Sequence, residues 1–287
     1  MALRLGLIGR GRWGRNIERT LSSFPDVSVT IVSRGQPPPH ELNGVLIATP
    51  SASHAKVALP YIAKGIATFI EKPMATSVAD AERIRETAIR AGAPVFVGHI
   101  HLYNPAFQAL LHLLPKLGAI HSALCEGMNS QVKADSSVLW DWLPHDLSRA
   151  HAIFKRNPVS VEARPLTGSS TIEAAEAEFL FGEVTLRSIV SWISPVRRQC
   201  MTISAENGTI IFDDLAGQKL SVRHLDGSIS HPSYDDEPPL TRELRAFLEM
   251  VRLGCPDTAH LDLGMNVIRA IAAAESSIRK GAASVKI

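Results

Sequence analysis

Three groups of residues in this 287-residue chain have the types and spacing to do chemistry. The first is Gly9-Arg10-Gly11-Arg12-Trp13-Gly14, a G-x-G-x-x-G turn that follows the apolar run LRLGLI and precedes the amphipathic stretch RNIERTLSSF. At such a strand-to-helix turn Gly9 permits the tight bend, Gly11 lets backbone approach a pyrophosphate, and Gly14 allows close packing of the helix. The free N–H groups of the helix N-terminus then face the anion. The second group is Ile70-Glu71-Lys72-Pro73, which puts a lysine after an apolar strand, at the carboxyl edge where open α/β sheets bind ligands. The third is Asp141 and His145, four apart in a segment patterned as helix and so on one face. His145 can act as a general acid/base by its near-neutral intrinsic pKa, and Lys72 can stabilise a developing oxyanion or assist a proton transfer. Residue type leaves open which of the two is the principal acid/base.

The end of the second strand separates the two nicotinamide dinucleotides, because an acidic residue there accepts from the ribose 2′-OH of NAD. This chain has Ser33-Arg34 instead. A hydroxyl and a guanidinium can bind a 2′-phosphate through charge-assisted hydrogen bonds, so NADP(H) is expected over NAD(H). Arg10, Arg12 and Arg15 are placed to add positive field near the phosphates.

These groups need a scaffold, and the hydropathy pattern supplies one. Five apolar runs read as strands buried on both faces of a parallel sheet: Leu3–Gly9, Val27–Ser33, Val45–Thr49, Ala67–Ile70 and Pro94–Gly98. Helices fill the gaps, the clearest over Ser77–Ala91, with Ser77 as cap, Asp80 three residues on and Gly92 as stop. Others run from about Ser53 to Lys64 and from Pro105 to Lys116. After Gly118 the rhythm changes to hairpins: Ile120–Met128, Val159–Arg164, Ala174–Phe181, Val184–Trp192, Met201–Ser204, Thr209–Asp213 and Leu220–His224, with helices at Val138–Phe154, Thr241–Leu253 and Leu263–Lys280. The expected fold is therefore an α/β dinucleotide-binding domain over residues 1–118, doubly wound about a parallel sheet. An α+β domain with a large, mostly antiparallel open sheet follows over 119–287. Gly227–Pro239 reads as a surface loop.

Composition narrows the function classes. With 45% hydrophobic residues and 20% charged, the chain can build packed cores, and a net charge of +2 is too small to drive phosphate-backbone binding. No nucleic-acid partner is expected. Cys125, Cys200 and Cys255 have neither disulfide nor zinc spacing, and no apolar run approaches the ~18 residues needed to span a bilayer. A soluble, cytoplasmic chain is expected. His99-x-His101 is a histidine pair for which no third ligand suggests itself, so no metal is assigned.

Taken together, GRGRWG, Ala48-Thr49-Pro50-Ser51 with His54, Glu71-Lys72-Pro73, Val97-Gly98-His99 and Asp141-x-x-x-His145 resemble the Gfo/Idh/MocA oxidoreductases over nearly the whole chain. The resemblance implies a Rossmann domain followed by a domain whose open sheet faces the nicotinamide and assembles dimers or tetramers. It implies sugars, cyclitols and related polyhydroxy compounds as ligands. Carried over by position, it makes Lys72 the active-site lysine, Asp141 the substrate-side aspartate and His145 the acid–base histidine. The cofactor side comprises Gly9, Gly11, Arg12, Trp13, Gly14, Ser33, Arg34, Thr49, Pro50, His54 and Glu71, with Lys72.

Two departures stand out. Only Arg34–Gly44 separates the second and third strands, where relatives carry a further helix–strand unit, so the adenosine side is expected to be pared down. Leu143 occupies a position that is often glycine in relatives. These departures motivate one alternative, a dinucleotide-binding sensor or regulator without chemistry; a second, within enzymes, is a reductase of a conjugated non-sugar ligand like the biliverdin reductases, which a pocket dominated by aromatic side chains would favour.

Overall fold

The computed structural model describes residues 2–33, 41–133, 136–169, 171–254 and 258–287. Arg34, the Pro37-Pro38-Pro39 run and Cys255 lie outside the described residues.

The chain divides into two compact units, each of two segments: residues 1–100 with 237–268, and residues 101–236 with 269–287. In the first, β1 (Leu3–Ile8), β2 (Val27–Val32), β3 (Gly44–Ile47), β4 (Ala67–Glu71) and β5 (Val95–Gly98) form a parallel sheet in the order β2-β1-β3-β4-β5. Chain order reverses at β1/β3, the switch point beside which α/β folds open their ligand crevice. Helix α1 (Arg12–Leu21) follows β1, α2 (His54–Ile62) follows β3, and α3 (Val78–Ala91) follows β4. Local chemistry sets the bounds of α3. The Ser77 hydroxyl accepts from the Asp80 N–H at 3.1 Å, and Gly92 leaves the helix at a φ of 59°.

One expectation for this sheet is corrected. β2 is not buried on both faces, since Ser28 and Thr30 are exposed and alternate with half-buried residues. Among the described residues it is an edge strand paired only with β1, and α1 packs on it. An edge strand covered on one side needs the period-2 pattern of a half-buried surface.

The second segment of this unit brings α6 (Pro239–Leu253) back onto the sheet. Phe247 of α6 meets Phe69 of β4 edge-to-face at 5.6 Å between ring centroids and Phe96 of β5 at 6.0 Å. Phe69 and Phe96 stack at 5.4 Å, and all three rings are buried, so they form one aromatic core spanning strands and returning helix.

The second unit is built on nine strands in the order β13-β12-β11-β10-β6-β9-β8-β7-β14. They are β6 (Ile120–Met128), β7 (Ser160–Pro165), β8 (Ala174–Phe181), β9 (Val184–Ser191), β10 (Arg198–Ala205), β11 (Gly208–Asp213), β12 (Leu220–His224), β13 (Ile229–Ser230) and β14 (Val285–Lys286). Only β6 and β9 pair in parallel; the other ladders are antiparallel. Gly182 turns β8 into β9 at a φ of 68°, in the left-handed region that glycine adopts without strain. The short β13 lies inside the segment expected as loop, since two residues carry too little pattern to be recognised.

The unit also holds α4 (Pro105–Leu113) and α5 (Val138–Phe154), and α7 (Ala259–Arg279) runs from the last residues of the first unit into the second. A break at Gly118 would fall inside the second unit, because α4 packs on β11 and β12 rather than with the parallel sheet. Within α5, Asp146 and Arg149 are both fully buried and pair at 2.7 Å. Asp146→Ala would leave the guanidinium charge uncompensated in the core, at a cost of about 3–5 kcal/mol. Denaturant unfolding of that variant should show the loss, and a change below about 1 kcal/mol would mean that water or another group satisfies Arg149.

Candidate active site

The glycine turn has the geometry its spacing requires. Gly9 has a φ of 98°, and a Cβ there would come within 2.5 Å of the Ala48 carbonyl, on the loop after β3. A Cβ on Gly14 would collide with the Gly9 carbonyl oxygen, so α1 lies directly on the turn only because residue 14 has no side chain. At Gly11, the N-cap of α1, a Cβ would meet nothing within 4 Å. No side chain caps this helix and no acidic residue stands in its first turn, leaving its N-terminal N–H groups to an anion. An uncapped helix start bordering open space fits a dinucleotide pyrophosphate.

Of the neighbouring arginines, Arg10 is spent within the protein, as its Nε and Nη2 donate to the Glu18 carboxylate at 2.9 and 3.1 Å. It adds less field at the turn than its position suggested. Arg12 and Arg15 are exposed, and Ser33 is exposed just beyond β2.

The carboxyl edge of β4 is tied to this turn. The Trp13 indole N–H donates to Glu71 Oε1, joining α1 to the residue before Lys72. Glu71 is buried, and burial pushes its carboxyl up to about 7, while the Trp13 hydrogen bond and the Lys72 charge act in the opposite direction. Lys72 is half-buried and precedes Pro73 through a cis peptide. His54, at the start of α2, lies between two loops, with Nδ1 2.9 Å from the Pro73 carbonyl and Nε2 2.8 Å from that of Thr49. Burial holds the His54 pKa below its ordinary value, and the neutral ring donates to only one of those carbonyls. Its geometry is that of a brace between the loops after β3 and β4. In the same loop Ser53 Oγ lies 2.9 Å from Thr49 Oγ1 and donates to the Pro50 carbonyl at 2.7 Å.

In the second unit, Asp141 and His145 both belong to α5. Asp141 Oδ2 accepts from the Trp192 indole at 3.0 Å, and Oδ1 pairs with Lys133 Nζ at 2.7 Å. The bulky Trp142 between them finds room because Gly127 of β6 has no side chain; a Cβ there would lie 2.6 Å from the indole. His145 packs edge-on against the His101 ring at 4.5 Å between centroids. The Gln199 amide lies 3.0 Å from His101 Nε2, and Nδ1 lies 3.9 Å from Asp214, itself bonded to Asn104 and Lys219. An amide donating to Nε2 leaves the proton on Nδ1, toward the carboxylate.

His101, Gln199, Asp214, Lys133 and Trp192 were missed by the motif reading. Of these only His101 carries a sequence signal, the His99-x-His101 spacing, to which no metal is assigned. Among the described residues no group of three or more His, Cys, Asp or Glu is arranged to hold one.

Comparison with known proteins agrees with this geometry. Residues 34–99 match the model of the Gfo/Idh/MocA family, described as an oxidoreductase family with an NAD-binding Rossmann fold. A provisionally described oxidoreductase from Magnetospirillum magnetotacticum MS-1 has a crystal structure that superposes with a TM-score of 0.84 at 31% identity, covering 95% of this chain and 99% of that one. Inositol 2-dehydrogenases from Pseudomonas fluorescens Pf-5 and Rhizobium meliloti 1021 are 29% and 24% identical over 56% and 57% of this chain. These alignments span 57% and 58% of the two dehydrogenases, little more than half their length. With a near full-length relative above 30% identity, a family match on the β3–β5 region and the parallel sheet behind a G-x-G-x-x-G turn, this chain belongs to the Gfo/Idh/MocA oxidoreductase family.

Proposed function

We propose that the protein is an NADP(H)-preferring dehydrogenase or reductase acting at a carbinol or carbonyl carbon of a sugar, cyclitol or related polyhydroxy compound. The observation that carries this reading is the Trp13–Glu71 hydrogen bond, which holds the strand end bearing Lys72 against the dinucleotide turn. The names of the inositol dehydrogenase relatives support the substrate class.

The bound nicotinamide supplies the hydride acceptor or donor. Everything else falls to the chain. Gly9, Gly11, Arg12, Trp13 and Gly14 receive the pyrophosphate, with Thr49, Pro50 and His54 forming the adjoining wall. Lys72 stabilises the developing alkoxide, Asp141 binds a substrate hydroxyl and His145 exchanges its proton. Trp192 and Lys133 hold the Asp141 carboxylate in one orientation, which suits an acceptor for hydroxyl hydrogen bonds. A dimer or tetramer formed through the nine-stranded sheet completes the reading.

Thermal-shift titration with NADPH and NADH tests the cofactor preference. A ligand at 100 times its Kd adds about 2.7 kcal/mol of apparent stability. NADPH is expected to raise the Tm at lower concentration than NADH. Tighter binding of NADH would overturn the roles given to Ser33 and Arg34. A panel of cyclitols and aldoses, followed by formation of reduced dinucleotide, tests the chemistry, and turnover of any member also removes the sensor reading.

A further inference from the structure

Glu243 is a carboxylic acid that no part of the proposed reaction uses. It lies on α6, is 1% exposed, and among the described residues neither of its carboxyl oxygens has a hydrogen-bond partner. A buried, unpartnered carboxyl costs several kcal/mol if charged, so such a group either takes up a proton or unfolds its surroundings. The arginines beside it on the helix do not answer it, since Arg242 and Arg245 both pair with Glu237.

The group it faces follows from register. Phe247 of α6 packs on Phe69 of β4. One helical turn back from Phe247 is Glu243, and two residues on from Phe69, on the same strand face, is Glu71. Helix α6 runs antiparallel to β4, as Val251 reaches the level of Gly44, which pairs with Ala67 at the start of β4. Four residues of helix and two of strand each advance about 6–7 Å, so the two carboxyls come to the same level at the end of β4. Among the described residues Glu71 has two donors, the Trp13 indole and the Lys72 backbone N–H, and one nearby cation, the Lys72 ammonium, which together offset its burial only in part. The buried His54 ring is engaged by the Thr49 and Pro73 carbonyls, and His99 is buried in the segment after Gly98, the β5 partner of Glu71.

We propose that Glu71 and Glu243 share one proton, and that binding of the oxidised dinucleotide, whose nicotinamide ring is a cation, expels that proton to solvent while binding of the reduced form does not. Two adjacent buried carboxyls cannot both ionise without a compensating charge. A cation arriving at the carboxyl edge of β4 supplies one, and a neutral ring does not. Burial raises both carboxyls, and the neighbouring Glu71 charge raises Glu243 as well. The direction of the linkage follows. Groups whose folded pKa lies above the unfolded value of 4.5 contribute stability that is complete below 4.5 and is lost as pH rises through about 7. The cofactor half of the inference rests on the function proposed above; the shared proton does not.

Two measurements on the full chain test it, with Glu243→Gln and the apolar Glu243→Met as independent variants. Without cofactor, the wild-type Tm is expected to fall from pH 5 to pH 8 relative to both variants, so that one or both are more stable than wild type at pH 8. Parallel Tm–pH profiles would overturn the shared proton. Calorimetric titration at pH 7 in buffers of different ionisation enthalpy counts protons released. NADP+ is expected to release a fraction of a proton from wild type and close to none from the variants, and NADPH to release none from either. Equal release by wild type and Glu243→Gln would overturn the linkage. Diverging Tm profiles without dinucleotide binding would uphold the shared proton and remove the cofactor reading.

Discussion

Replacing Lys72 by alanine is expected to lower turnover about 10²- to 10⁴-fold, the range for loss of a group that moves or stabilises a proton in the transition state. Lys72 is half-buried, follows the buried Glu71 at the end of β4 and is held near the glycine turn through the Trp13–Glu71 hydrogen bond. In the proposed reaction its ammonium would serve an alkoxide better than in water, because the preceding Glu71 is buried. Removing it takes away a charge that acts in the transition state more than in the ground state, so the loss should fall on kcat and leave KM within a few-fold. His145→Ala should show a loss of similar size, as its partner His101 is oriented by Gln199 and Asp214 and does not occupy the same position. Steady-state kinetics on both variants, with circular dichroism to confirm the fold, is the measurement. Unchanged turnover in both would end the catalytic assignment.

The glycine turn yields the second large effect, and its three positions should respond differently. Gly9→Ala forces a side chain into a positive-φ conformation against the Ala48 backbone, and Gly14→Ala drives a methyl into the Gly9 carbonyl. Neither neighbour is a flexible side chain, so each variant should lose about 1–3 kcal/mol or more. Both should also lose dinucleotide binding. Gly11→Ala meets no atom within 4 Å among the described residues and should keep the wild-type Tm without ligand. A methyl at the N-cap would nevertheless stand where phosphate must approach, so its NADPH-induced shift should disappear. A Gly11→Ala protein that binds NADPH as tightly as wild type would place the pyrophosphate elsewhere.

Much of this was legible in the residues because it is local. The Ser77 cap and the Gly92 stop of α3 follow from capping chemistry within a few positions, and the extent of α5 from the run of its residues. Asp141 and His145 sit on one helix, so spacing alone set their relation. What stayed hidden depends on partners distant in sequence. Trp192 is 51 residues from the Asp141 it binds. Gly127 looked like any strand glycine until Trp142 was found over it. Glu243 carries no local sign of burial, and only the return of α6 to β4 places it in the core. The half-open β2 was misread because Val27, Val29 and Ile31 dominate a run whose small polar residues mark the exposed side.

The return of α6 also bears on how the chain folds. The five strands of the first sheet are complete by Gly98, yet the aromatic core over Phe69 and Phe96 waits for Phe247. During synthesis the first unit therefore emerges with an uncovered apolar face while the nine-stranded unit is made, and closes only when residues 237–268 arrive. The domain begun first is the one finished late. Its loop closure spans the whole of the other segment, an entropic cost that grows only slowly with length, so the interruption burdens the rate of folding and the risk of aggregation more than the final stability.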